Sequence, residues 1–307
     1  MRWNLAVAAL ASSWGLIAVI VREVELDAQV LVFYRLAFAA LTLGLVAVLV
    51  GRVAQLALVR HRGRVAVIGV TLAAHWFLYF VTIKLSSVAV AVLLAYVAPI
   101  AIAVLAPFVL PEARSAVALA AIVPAAAGVA LVALGGEEGG AIRPLALACG
   151  LLTAGTYAAL VLMTKRIAAE VPVLALSFWN YVIAAVAIAP LLLAGDRVLP
   201  TGRELPAVIA LGVVFTALSG YLYIWFLRHV TAQAIGVLAY IEPVSAALLA
   251  WALLDEALGW PVVAGGALVI LAGATVVLLE PADAATPEAA PLAPSGTVTP
   301  PAARHAP

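Results

Sequence analysis

The sequence has few of the residues that a water-soluble surface needs. Only 10% of its 307 residues are charged, whereas 67% are hydrophobic, and the mean hydropathy is +1.22. Because no soluble domain could expose such a composition to water, the chain is predicted to be an integral membrane protein. A net charge of +1 and scattered basic residues also exclude a nucleic-acid surface.

Cysteine and the common catalytic motifs are nearly absent as well. The single cysteine, Cys149, excludes a disulfide or a cysteine-ligated metal site within one chain. The HExxH, Walker and GxSxG patterns are missing, and no apolar segment holds two acidic residues within one helical turn. We therefore expect neither an intramembrane protease nor a nucleotide-driven pump, and no metal or cofactor.

Long apolar runs, by contrast, fill the chain. A bilayer core about 30 Å thick needs about 20 apolar residues in helical form. No run alternates apolar and polar residues as a barrel strand would, so the fold class is all-α. By this measure the sequence predicts ten transmembrane helices, at residues 3–21, 30–50, 65–83, 87–109, 115–134, 144–163, 172–194, 205–227, 232–253 and 260–279.

One stretch of the sequence occurs twice. Leu94–Pro99 (LAYVAP) returns as Leu238–Pro243 (LAYIEP), 144 residues later. Such a match predicts two structurally equivalent halves. Further pairs extend the match. Tyr79 pairs with Tyr223 and Lys84 with Arg228 at the same offset, and Phe33 pairs with Phe178 at an offset one residue longer.

The duplication predicts an inverted repeat. Residues 3–134 hold the first five predicted helices and residues 144–280 hold the other five. Because five is odd, the second half must enter the membrane with the opposite orientation. Inverted repeats are a recurrent design of secondary transporters, whose substrate site lies between the halves. A transporter is therefore expected, and a membrane scaffold that moves no solute is the alternative.

The distribution of Lys and Arg predicts the orientation. These residues concentrate at one set of predicted helix ends, most of all in the loop Arg52–Arg64. The positive-inside rule then places both termini in the cytoplasm, here of a bacterial inner membrane. Residues 281–307, rich in Pro and Ala, are predicted to be a disordered cytoplasmic tail. Ten helices suffice for a complete pathway, so a monomer in the lipid bilayer is expected.

Several motifs of the two halves point to one family. They are Trp14-Gly15, Phe33-Tyr34-Arg35, Tyr96–Pro99 followed by Glu112, Ile241–Pro243 followed by Asp255-Glu256, and the glycine-rich helices around Gly128 and Gly265–Gly273. Together they resemble the EamA family of the drug/metabolite transporter superfamily. The resemblance implies ten helices in two EamA repeats, cytoplasmic termini and transport or export of small metabolites by alternating access. In its aromatic cavity helices the chain also resembles the YddG-like amino-acid exporters.

Three ionisable residues fall inside the apolar segments, where each costs about 2.5–3.5 kcal/mol on insertion scales. Arg35 could extend to the membrane interface, hold an acidic partner, or face the pathway and bind a substrate carboxylate. Glu242 could bind a substrate amine, carry a coupling proton, or bond to a neighbouring helix. His75 could carry a proton or be a satisfied core histidine.

Aromatic residues complete the predicted site. His75 and Tyr79 share one helix face, with Trp76 beside them. An aromatic cavity with a few charges fits a ligand that has an apolar body and a charged end. We therefore expect export of amphipathic metabolites, foremost aromatic or branched amino acids, or else of another uncharged or zwitterionic metabolite or drug, with proton coupling left open. The predicted substrate-binding residues are Arg35, His75, Trp76, Tyr79, Tyr96, Trp179, Tyr240 and Glu242, with Pro99 and Pro243 as hinges.

Overall fold

The structure is a computed structural model that describes residues 2–58, 61–85, 91, 94–111, 114–134, 143–194, 199–202, 204–254 and 260–279. Three predicted features lie outside these residues: the tail 281–307, the start of the fourth helix, and the acidic motif residues Glu112, Asp255 and Glu256. The described helices are α1 (Arg2–Glu23), α2 (Ala28–Leu49), α3 (Arg62–Leu85), α4 (Ala98–Val109), α5 (Ala116–Leu134), α6 (Pro144–Ala168), α7 (Val173–Ile188), α8 (Leu205–Gly212), α9 (Ser219–Phe226), α10 (Ala232–Leu238), α11 (Ile241–Leu254) and α12 (Trp260–Leu279).

Each of the ten predicted segments contains helix. Within the described part, seven stretches are long and apolar enough to cross a membrane: Trp3–Val21, Ala28–Leu49, Arg62–Leu85, Pro144–Ala168, Val173–Leu193, Leu205–Phe226 and Ala234–Leu253. Helices α5 and α12 carry shorter apolar runs. The prediction of an all-helical, multi-pass membrane protein is thus confirmed, whereas the count of ten spanning helices stays a prediction.

Two of the spanning stretches are interrupted along their length. Between α8 and α9, Val213–Leu218 forms a π-helix, and π-helical turns inside α-helices occur frequently at functional sites. Between α10 and α11 the helix gives way to a turn at Ala239 and Tyr240. The cause of this second break is Pro243, which has no N–H to donate to the carbonyl four residues earlier, that of Ala239.

The broken stretch before α11 faces the corresponding turn before α4. The hydroxyl of Tyr96 donates to the carbonyl oxygen of Ala239 (2.9 Å), and the hydroxyl of Tyr240 donates to the carbonyl oxygen of Tyr96 (2.8 Å). The two tyrosine rings are 5.3 Å apart. Pro99 lies so close to Gly236 that a Cβ on the glycine would be 3.4 Å from the proline Cα. Two repeat-equivalent tyrosines thus join the halves where their helices break.

Most of the tertiary packing is between the two halves. Helix α5 packs on α12, α1 on α11, α2 on α7, and α3 on both α6 and α7. Small residues allow several of these contacts, as is usual between membrane helices. A Cβ added at Gly128 would lie 2.5 Å from the carbonyl oxygen of Gly265, and one added at Gly69 would lie 2.7 Å from Cβ of Ile183.

The contact between α5 and α12 gives a first testable prediction. Replacing Gly128→Ala places a methyl group against the Gly265 carbonyl, a backbone atom that cannot move aside cheaply. We expect a loss of stability of about 1–3 kcal/mol, the usual cost of overpacking. Gly155→Ala is the matched control, because nothing lies within 4 Å of a Cβ at that position. The measurement is thermal unfolding in detergent, and equal melting temperatures for both variants would contradict the packing.

Candidate functional site

A cavity of about 180 Å³ lies between the two halves, where three apolar clusters of the core meet. One water molecule needs only about 10–15 Å³, so this cavity is many times larger than a single water molecule. It is therefore suited to a small solute. The lining residues are Trp14, Ile17, Arg35, Ile68, Leu72, His75, Trp76, Tyr79, Ala95, Tyr96, Pro99, Tyr157, Leu160, Val161, Thr164, Asn180, Tyr181, Phe215, Thr216, Ser219, Gly220, Tyr223, Ile224 and Glu242.

Repeat-equivalent positions form much of this wall. One side of α3 lines the cavity on the first half, and the π-helix with α9 lines it on the second. At the offset of 144 residues the lining pairs are Leu72 with Thr216, His75 with Ser219, Trp76 with Gly220, and Tyr79 with Tyr223. The cavity thus follows from the duplication, while the side chains on its two sides differ.

Arg35 is the most deeply buried charge of the site. Arg35 is 0% exposed, and its guanidinium carbon lies 3.8 Å from the ring centroid of Trp76. Its Nε donates to the hydroxyl of Thr216 (3.1 Å), whereas neither Nη1 nor Nη2 has a hydrogen-bond partner among the described residues. Arg35 therefore does not extend to the membrane interface.

The π-helix positions the group that holds Arg35. Thr216 lies within it and donates its hydroxyl hydrogen to the carbonyl oxygen of Leu211 (2.6 Å), so the Thr216 oxygen accepts from the guanidinium. The hydroxyl of Tyr181 donates to the Thr216 carbonyl oxygen (2.8 Å). Gly212 lets α2 approach, because a Cβ there would lie 2.9 Å from the Arg35 carbonyl oxygen. Helices α2 and α7 and the π-helix are thus fixed around one cation.

Glu242 is the acidic group of the cavity. It lies in the first turn of α11, where a negative charge is favoured by the helix dipole. Its carboxyl group lies near the hydroxyl of Tyr96 and close enough to Arg35 for the two charges to interact electrostatically. The two charges do not form an ion pair within 4 Å among the described residues. They remain separate groups that both face the same cavity.

His75 is held by the backbone of α6. Its Nδ1 lies 3.2 Å from the carbonyl oxygen of Thr153, and since a carbonyl only accepts, Nδ1 carries the hydrogen. In the neutral ring Nε2 is then an acceptor. The ring stacks on Tyr157 and on Tyr79, with centroid separations of 5.4 and 6.4 Å. His75 is thus partly satisfied within the protein and also lines the cavity.

The structure brings most of the predicted site residues together. Arg35, His75, Trp76, Tyr79, Tyr96 and Glu242 line the cavity, as does Pro99. The cavity lining does not include two of the predicted contacts, Trp179 and Tyr240, or the second predicted hinge residue, Pro243. Trp179 donates its indole N–H to the carbonyl oxygen of Leu56 (2.8 Å). Tyr240 is 0% exposed, and its hydroxyl donates to the carbonyl oxygen of Tyr96.

Sequence reasoning did not select several residues of the wall. Ser219 and Tyr223 could have been found from the repeat, since they are equivalent to His75 and Tyr79. Thr216 depends on the π-helix, for which the sequence gives no signal. The remaining polar or aromatic residues that were not selected are Trp14, Thr164, Asn180 and Phe215.

The fold and cavity define a multi-pass membrane protein built from two equivalent halves around one central site. Comparison with known proteins identifies the family. The EamA-like transporter family matches residues 1–134 and again residues 144–279. Because these matches cover most of the chain, the protein belongs to the EamA-like transporter family, whose members are membrane transporters. The narrower likeness to YddG-like exporters stays a prediction.

A solved structure shares the fold. It is titled only "Crystal structure of protein", is 21% identical in sequence, and superposes with a TM-score of 0.77 over 91% of this chain and 97% of that chain. At this level of identity the likeness shows the fold alone. No protein with a curated description matches the chain.

Proposed function

We propose that this protein exports small zwitterionic metabolites, foremost amino acids with aromatic or branched side chains. The observation that carries the proposal is the pair of opposite charges, Arg35 and Glu242, that face one aromatic cavity without forming an ion pair with each other. The family membership supports a transporter, and the direction, export, follows the resemblance to the YddG-like amino-acid exporters.

Arg35 is suited to bind the carboxylate of a substrate. The hydrogen bond from its Nε to Thr216 and the stacking on Trp76 fix the plane of the guanidinium. Nη1 and Nη2, which have no partner among the described residues, can donate to an anion. A planar guanidinium with two free nitrogens matches the two oxygens of a carboxylate, and such charge-assisted bonds are stronger than neutral ones. A buried cation without an anionic partner is costly, so a carboxylate relieves that cost.

Glu242 is suited to bind the ammonium group of the same substrate. An ammonium donates up to three hydrogen bonds and the carboxylate accepts them. The hydroxyl of Tyr96 lies near this carboxylate. Aromatic rings on both sides, among them Trp76 and Tyr157, can contact an apolar side chain and can attract the ammonium by cation–π interaction. The arrangement favours a zwitterion over either ion alone.

The proposal is tested by uptake of labelled phenylalanine and leucine into proteoliposomes. We expect saturable uptake by the wild type, and at least a tenfold loss of uptake efficiency in Arg35→Gln and in Glu242→Gln, because each removes one charged contact worth about 1.4 kcal/mol or more. Arg143→Gln, an exposed arginine before α6, is the control and should keep wild-type uptake.

Folded protein that takes up neither amino acid would contradict the proposal and favour another metabolite or a scaffold. Full uptake by both variants would remove Arg35 and Glu242 from the mechanism. An imposed proton gradient in the same experiment decides whether transport is coupled to protons.

We further propose that transport proceeds by alternating access, because the two ends of the molecule differ. At one end Lys165 donates to the carbonyl oxygens of Leu227 (2.7 Å) and Val230, and Arg228 donates to that of Val171. These bonds join the end of α6 to the turn after α9. At the other end Lys84, which is equivalent to Arg228, is exposed. Such a difference between equivalent cations of the two halves, seen among the described residues, is expected of a single state in a two-state cycle.

Cysteine labelling tests this asymmetry. Thr164→Cys, in a Cys149→Ser background, places a thiol on the cavity wall beside the tied end. We expect Arg228→Ala to increase the rate of maleimide labelling severalfold, because it releases the bond to Val171. Lys84→Ala, the repeat-equivalent control, should not increase the rate. Equal labelling in both variants would contradict the role of Arg228 in closing this end.

A further inference from the structure

The hydroxyl of Thr216 is oriented by a bond with π-helical spacing. In an α-helix, a threonine hydroxyl bonds back to the carbonyl three or four residues earlier. The Thr216 hydroxyl donates instead to the carbonyl oxygen of Leu211, five residues earlier (2.6 Å), which is the spacing of a π-helical turn. Its oxygen accepts from Nε of Arg35 (3.1 Å). The orientation of the guanidinium therefore depends on the π-helix.

One side chain from another helix holds this turn. Tyr181, on α7, is 5% exposed, and its hydroxyl donates to the carbonyl oxygen of Thr216 (2.8 Å). A buried carbonyl oxygen that loses a donor costs free energy, so the bond favours the arrangement of the turn in which it forms. Tyr181 thus ties α7 to the same residue whose hydroxyl contacts Arg35.

Gly220 makes room for the hydroxyl of Tyr181. It is the second residue of α9, directly after the π-helix. A Cβ at this position would overlap the Tyr181 hydroxyl and lie 3.2 Å from its Cζ, and the three nearest heavy atoms all belong to Tyr181. A residue larger than glycine would therefore move the hydroxyl away from the Thr216 carbonyl.

The repeat shows how this arrangement arose. Gly220 is equivalent to Trp76 at the offset of 144 residues. In the first half Trp76 stacks on the face of the Arg35 guanidinium. In the second half the glycine admits the tyrosine that holds Thr216, the partner of the guanidinium edge. The pair has diverged, and both members now serve the same cation.

We propose that Tyr181 is a positioning residue of the transport site. Its hydroxyl keeps the π-helix in the geometry in which Thr216 orients Arg35, and Gly220 gives that hydroxyl its place. The inference rests on the proposed function, because it is the proposed function that assigns the substrate carboxylate to Arg35. It adds that Tyr181 sets the affinity for this carboxylate through Thr216, without a bond of its own to the substrate.

The effect is confined to the carboxylate of the substrate. Without the Tyr181 hydroxyl, the buried Thr216 carbonyl loses a donor and the turn rearranges. Thr216 then shifts relative to Arg35, and the paired bonds between a guanidinium and a carboxylate depend strongly on orientation. An amine that lacks the carboxylate does not use Arg35, so its affinity stays the same.

The test compares an amino acid with the amine that lacks its carboxylate, by competition against uptake of the labelled amino acid into proteoliposomes. The pair is phenylalanine with phenethylamine, or leucine with isopentylamine, whichever amino acid the wild type takes up better. We expect the amino acid to compete at least about tenfold better than the amine in the wild type. In Tyr181→Phe this ratio should fall about threefold or more, through weaker competition by the amino acid alone.

Gly220→Ala should lower the same ratio, because the added methyl group displaces the Tyr181 hydroxyl. The double variant Gly220→Ala/Tyr181→Phe should show the ratio of Tyr181→Phe and no further loss, since the displaced hydroxyl is already absent. A further loss in the double variant would contradict the role of Gly220. Should Gly220→Ala fail to fold, Tyr181→Phe still decides.

Tyr34→Phe is the matched control. Tyr34 packs against the same apolar cluster as Tyr181 but is not among the lining residues, so removal of its hydroxyl should keep the wild-type ratio. An unchanged ratio in Tyr181→Phe, with a lowered ratio in Arg35→Gln, overturns the inference and leaves the proposed function intact. A wild type that does not distinguish the amino acid from the amine overturns both.

Discussion

The site depends on one buried guanidinium that the protein only partly satisfies. Arg35 has no exposed surface, one hydrogen bond from Nε to Thr216, and an aromatic ring against its face. A cation removed from solvent costs several kcal/mol unless it is paired. Neighbouring features support this one group: the π-helix that presents Thr216, and Gly212, which lets α2 come close. A structural arginine would be expected to have its terminal nitrogens bonded as well.

The duplication provides the framework, and divergence between the halves provides the chemistry. The tyrosines Tyr96 and Tyr240 keep equivalent places and bond reciprocally across the centre. Around them the equivalent positions differ. Glu242 has Ala98 as its counterpart, and Arg35 has Asn180. Each half therefore contributes one charge of opposite sign to the cavity. On the proposed function, that polarity would give a zwitterionic solute one preferred orientation, which a fully symmetric cavity would not.

Much of this architecture could be predicted from the sequence because membrane helices have a strong signal. The apolar segments led to helices near the predicted bounds, and Tyr79 and Tyr223, which are equivalent in the repeat, both line the cavity. The predicted contacts at Trp179 and Tyr240 show the limit. Both are aromatics inside apolar segments, but whether such a ring faces the cavity or the loop at Leu56 depends on helix rotation. Composition and spacing do not determine that rotation. The π-helix around Thr216 has no sequence signature either, so the partner of Arg35 could not be foreseen.

The central claim is that one small molecule bridges Arg35 and Glu242 by its two opposite charges. Calorimetric binding to the purified protein tests it most directly. The ligands are the amino acid that is taken up best and two derivatives of it, the amine that lacks its carboxylate and the acid that lacks its ammonium group. The account predicts that the amino acid binds and that each derivative binds at least tenfold more weakly. An amine or an acid that binds as tightly as the amino acid would contradict it.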